Sequence, residues 1–207
     1  LGDPRRALYF TAVGGVYKGG TYGEPSAYGS YSHVNPTLVT TTREGLLMDY
    51  FETEFMLAEA AERGFTVSGS AATHYSNAVA ASIVYWGGTQ TQADVYLAQT
   101  NVAYATAAGN WREKIGTQAW IANWFNGMTA WTTWRRLDYP RLIATSLDAK
   151  DPDDKGIPMR YIYPVSEQTL NPTSYTNAAV AIGGDKSAQV RLFWDKGPDN
   201  YNTVTGK

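Results

Sequence analysis

At 207 residues, with 43% hydrophobic and 17% charged content, the chain is long enough to bury a core and has the balance of an ordinary globular protein. Its formal net charge of -2 and the lack of any basic block exclude a phosphate-backbone binder, so no nucleic-acid partner is expected. Zero cysteines exclude a disulfide framework, a thiolate metal site and a cysteine nucleophile, and no apolar run approaches the roughly 20 residues that cross a bilayer.

Residues 1–45 are rich in Gly, Tyr, Ser, Thr and Pro, with Gly14-Gly15, Gly19-Gly20 and tyrosines at 17, 22, 28 and 31. They have no sustained period of 3.6 or 2 and read as a long ordered loop, a kind of segment that is more often functional or packed on a neighbour than idle. The glycine pairs neither follow a strand nor open a helix, so phosphate cradling is not supported. From Leu46 apolar residues recur at helical spacing (Leu47, Tyr50, Phe51, Leu57, Ala58, Ala61) as far as Gly64, which is placed to end a helix. A second helix is predicted from about Ala71 to Trp86, with Ser70 before it and Gly87-Gly88 after it. Together they form a helical hairpin, the unit of TPR-like superhelices.

A short helix is predicted around Gln92 to Gln99, then one long helix from Trp111 to about Leu137 that Gly127 bends and Pro140 ends. On its wheel Trp120, Trp124, Trp131 and Trp134 share one arc, opposite Ile115, Ala122 and Phe125, the pattern of a helix sandwiched between others. Residues 141–207 return to loop character. They contain a solvated acidic run from Asp148 to Lys155, and short strands are expected around 159–163 and 190–194. The expected fold is all-α, made of αα-hairpins with long irregular loops and few short strands: a loop-rich 1–45, a helical scaffold over 46–140 and a loop-rich 141–207, within a single domain fragment.

Several segments, taken in order, resemble the SusD/RagB superfamily of outer-membrane lipoproteins, and most closely its starch-binding-associated branch. EFMLAEAAERGF at 54–65 is similar to that family's Ala-Glu … Arg-Gly helix. YLAQTNVAY at 96–104, KIGTQAWIANWFNGMTAWTTWRRLDYP at 114–140, IPMRYIYPVSEQTLNPTSY at 157–175 and FWD at 193–195 follow in register. The resemblance implies a TPR-like scaffold, lipid-tethered at the cell surface as a lid on a SusC-like TonB-dependent transporter, which binds oligosaccharide or another nutrient and needs no cofactor. It further implies a carboxy-terminal portion, because such proteins are roughly twice this long and carry the acylated cysteine in their other half. A helical scaffold that binds peptide or protein without carbohydrate affinity is the alternative.

For carbohydrate, flat rings must meet the apolar faces of pyranoses while amides and carboxylates meet the hydroxyls. Tyr17, Tyr22, Tyr28, Tyr31, His33 and Asn35 give the loop that composition, and Trp86 at a helix end beside two glycines is a second candidate. The same tyrosines could equally pack the loop onto the helices. Glu54 falls inside an apolar arc, so it needs a partner, and an ion pair with Arg135 or Arg136 is expected. Glycoside hydrolysis needs two facing carboxylates; Glu52, Glu59 and Glu62 read instead as the polar side of one helix. His33 and His74 lack a spaced third ligand for a transition metal, and the acidic run lacks the alternation and turn glycine of a calcium loop.

Overall fold

The computed structural model describes residues 2–21, 25–142, 156–188 and 190–195. Two compact units divide the chain, Leu1–Pro140 and Arg141–Lys207. In the first, the opening segment forms a short helix α1 (Arg5–Tyr9), and two 3-10 turns follow at Tyr28–Ser30 and Pro36–Leu38. The helical scaffold comprises α2 (Tyr50–Glu62), α3 (Ala71–Tyr85), α4 (Gln90–Leu97), α5 (Trp111–Ala122) and α6 (Gly127–Leu137).

Each scaffold helix starts where a short polar side chain takes up an orphan backbone N–H. Asp49 accepts from Phe51 N at 3.1 Å, Ser70 from Thr73 N at 3.1 Å and Asn110 from Glu113 N at 3.1 Å. Thr89 and Gln92 cap α4 reciprocally as a capping box. At the other end of α2, Gly64 adopts φ +81°, a left-handed conformation that lets the chain leave the helix at little cost. The antiparallel pair α2–α3 is the most extensive contact, α4 packs on α3, and α5 packs on α2, α3 and α6.

One continuous core fills this stack: Phe51, Phe55 and Ala58 from α2, Tyr75, Ala78, Val79 and Ile83 from α3, Ala93 and Tyr96 from α4, and Ile115, Ala119 and Ala122 from α5. The alanines let backbones approach closely. Gly116 serves the same end, since a Cβ there would lie 3.0 Å from both Tyr139 Cβ and Tyr139 O. Arg5 at 0% exposure nails α1 to the stack: its guanidinium donates to Asp3 Oδ2 at 2.7 Å, Gln118 Oε1 at 2.5 Å and Ser82 Oγ at 3.3 Å. Burial alone would raise the Asp3 carboxyl, but its contacts with Arg5 outweigh that and hold it below the usual range.

Three expectations are corrected. The single helix over 111–137 is two helices, because Asn123 and Asn126 divert the backbone. Asn123 Nδ2 donates to Ala119 O at 3.0 Å, and Asn126 Oδ1 caps α6 by accepting from Thr129 N at 3.4 Å. The tryptophan arc therefore does not run through; Trp124 lies in the connection and stacks on Tyr9 instead. The strands expected at 159–163 and 190–194 are absent among the described residues, and that region carries α7 (Val165–Leu170) and α8 (Pro172–Ala181) instead. In this second unit α7 and α8 pack together, and Arg160 pairs with Asp185 at 2.8 Å while Tyr163 N also donates to Asp185. The acidic run 148–155 lies outside the described residues.

The loop of 1–45 is closed at its base. Phe10 and Val34 form an isolated antiparallel bridge, with Thr11 N donating to His33 O and Asn35 N to Tyr9 O, both at 2.8 Å.

Candidate functional site

Two features stand on a shared aromatic cluster in the first unit. At its centre Tyr9 stacks on Trp124 (5.0 Å, 14°) and meets Trp86 edge-on at 5.1 Å, and its hydroxyl donates to Ile121 O at 2.9 Å. Phe10 packs edge-on against Trp124 at 4.8 Å, and Trp86 meets Phe125 at 6.2 Å. This cluster anchors the base of the loop to the carboxy ends of α3 and α5.

The first feature is the loop itself. Tyr28, 79% exposed, stacks nearly parallel on His33 with centroids 3.7 Å apart, and His33 Nε2 lies 2.6 Å from Tyr28 O. The imidazole fixes the phenol ring from one side and leaves a large aromatic surface in solvent. Tyr17 and Tyr31 are each covered by a cation, Arg6 at 4.8 Å and Lys18 at 5.0 Å from the ring centroids. Asn35 acts within the loop's own framework, where its Oδ1 accepts from Thr37 N at 3.1 Å and Thr37 Oγ1 at 3.0 Å and so caps the second 3-10 turn. Tyr22 lies outside the described residues.

The second feature is a cleft of about 300 Å³ where the loop before α2 meets the end of α3 and the α5–α6 connection. Trp86 forms one wall but is itself only 6% exposed, and its indole N–H donates to Ala122 O at 3.1 Å. Phe125 is accessible at the mouth. Arg43 spans the cleft, its guanidinium carbon 4.9 Å from the Trp86 ring centroid, 5.7 Å from Phe125 and 6.0 Å from Tyr85. Glu44 stands beside it. Burial and the Glu44 carboxylate raise the Tyr85 phenol above its ordinary value, with Arg43 opposing them. Asn123, 2% exposed, also lines the cleft, and its Oδ1 has no hydrogen-bond partner among the described residues.

The expected pairing of Glu54 with Arg135 or Arg136 is corrected. Glu54, 6% exposed, accepts from His74 Nδ1 at 2.7 Å and Asn77 Nδ2 at 3.3 Å. Burial raises its carboxyl, but the interactions with His74, Tyr50 and Asn77 win and hold it below its ordinary value. The carboxylate that takes Arg136 is Glu59, which is buried at 4% exposure and also bonds Arg63 Nε at 2.8 Å. Arg135 stacks its guanidinium on the Trp131 ring at 3.7 Å. These groups brace α2 against α3 and α6 and stand apart from the cleft.

The profile of a family described as "Starch-binding associating with outer membrane" matches residues 1–164. The chain belongs to this SusD-like family. Solved structures agree with the assignment. A chitin-binding protein is 31% identical with a TM-score of 0.76, over 94% of this chain and 47% of that one. A SusD homologue from Bacteroides vulgatus is 29% identical with a TM-score of 0.76, over 96% and 47%, and one from Parabacteroides distasonis is 28% identical with a TM-score of 0.77, over 98% and 46%. The chain thus spans about half the length of the SusD-like structures it matches. No curated protein matches it. The fold of these relatives accounts for the αα-hairpin scaffold and its long loops. No described helix is long and apolar enough to cross a membrane.

Sequence reasoning named Tyr28, His33 and Trp86 but missed Arg43, Glu44, Asn123 and Phe125 as one group. With Trp86 these residues come from three segments about 40 residues apart, which only the helix stacking brings together.

Proposed function

We propose that the protein of which this chain forms about half captures glycans at the outer surface of the bacterial outer membrane and hands them to a SusC-like TonB-dependent transporter, held there by a lipid anchor. The observation that carries this reading is the match of residues 1–164 to a starch-binding, outer-membrane-associated family. A chitin-binding relative at 31% identity supports carbohydrate as the ligand class. The buried carboxylates Glu54 and Glu59 are engaged by His74 and by two arginines, which gives them a structural role in the scaffold. The stacked Tyr28–His33 pair offers the flat apolar surface a pyranose face needs.

An array of neutral glycans and control peptides tests this. The chain is expected to bind a subset of β- or α-glucan or chitin-type oligosaccharides, and Tyr28→Ala is expected to weaken the signal about tenfold, the order of one lost ring contact. Binding to peptides with none to any glycan would favour the protein-scaffold alternative.

A further inference from the structure

We propose that the cleft beneath Arg43 is a subsite for a single, uncharged sugar ring, distinct from the Tyr28–His33 surface. The inference rests on the glycan-capture reading and adds a location, a ligand size and a charge preference. Its volume, about 300 Å³, lies at the lower limit of ligand pockets, roughly 300–1,000 Å³, which suits one ring and not a stretch of polysaccharide. Phe125 at the mouth supplies an apolar face for the ring's axial C–H groups. Arg43 and Glu44 follow one another along the rim and offer a planar donor fork and a two-oxygen acceptor, a pair suited to adjacent hydroxyls.

Their charges cancel, so a carboxylated sugar would gain Arg43 only by facing Glu44. A neutral ring satisfies both. Asn123 adds an independent sign of a missing donor: its Nδ2 is committed to Ala119 O, while its Oδ1 is buried without a partner among the described residues. An unmet buried acceptor is costly, and a ligand hydroxyl entering the cleft could meet it with a small side-chain adjustment.

The test titrates the chain with glucose, N-acetylglucosamine, their β- and α-linked disaccharides, glucuronic acid and a short neutral peptide. It follows the Trp86 indole N–H resonance, assigned through Trp86→Phe, with calorimetry for affinity. A neutral sugar is expected to shift that resonance, and Glu44→Gln and Phe125→Ala are each expected to weaken disaccharide binding about tenfold. Glu44 is exposed, so Glu44→Gln keeps the test valid if Phe125→Ala unfolds. Polysaccharide binding that survives both cleft variants, with no sugar moving Trp86, overturns the subsite and leaves glycan capture standing. Tighter binding of glucuronic acid or of the peptide also overturns it, and no binding to any glycan by the unmodified chain defeats both readings.

Discussion

Glu54 and Glu59 are five residues apart on α2, and both are buried, yet they answer to different neighbours. Glu54 turns to His74 on α3, whose two ring nitrogens lie 2.7 Å from Glu54 Oε2 and 2.5 Å from Ser68 O. The folded-state value of Glu54 lies below its ordinary 4.5. Its contribution to stability is therefore complete above that ordinary value and drains away as pH falls through the folded one. Thermal melts from pH 7 down to about 3 should show Glu54→Gln lowering the melting temperature near neutrality by about 3–6 °C, equivalent to about 1–2 kcal/mol. The variant should also lose part of the acid sensitivity. Asp3, likewise held low, keeps the remainder. An unchanged melting curve would show that the buried pair adds nothing to stability. Glu59→Ala leaves Arg136 facing a buried gap and is expected to cost roughly 2–3 kcal/mol in chemical denaturation, below the full cost of a broken buried pair because Arg136 is partly in water.

The elements were legible in the sequence to the degree that each buries a regular face. α2 and α3 do so, through Phe51, Phe55 and Ala58 and through Tyr75, Ala78, Val79 and Ile83, and their period and caps predict them within a few residues. α8 has no buried residue among those described, so its apolar positions carry no helical period and the segment reads as loop. The break between α5 and α6 escaped because a wheel takes no account of asparagine competing for backbone groups. Asn126→Ala removes the cap of α6 and is expected to cost about 1 kcal/mol by equilibrium denaturation. A wheel also says which face a residue occupies, never what covers it, which is why Glu59 reads as polar surface while Arg63 and Arg136 in fact enclose it. The Glu54–His74 contact spans 20 residues and depends on the register of the hairpin, which periodicity leaves open. Arg5 is the strongest tie between the opening segment and the helices. Arg5→Met strands Asp3 and Gln118, and a loss of about 3–5 kcal/mol is expected, with proteolysis first entering residues 10–35 as α1 lifts away.

For the whole molecule, the organisation of the first unit is a helical stack whose aromatic cluster holds a loop on one side and a cleft on the other. The surfaces offered to a ligand come from residues 28–33, 43–46, 85–86 and 122–128, segments that lie far apart in the sequence. Glycan capture is the claim that gives these surfaces a purpose. Native gel electrophoresis through soluble starch, glycol chitin and mixed-linkage glucan addresses it most directly. Retarded migration in at least one polysaccharide, relieved in Tyr28→Ala, is the predicted result, and migration identical to a non-binding control in all of them would contradict it.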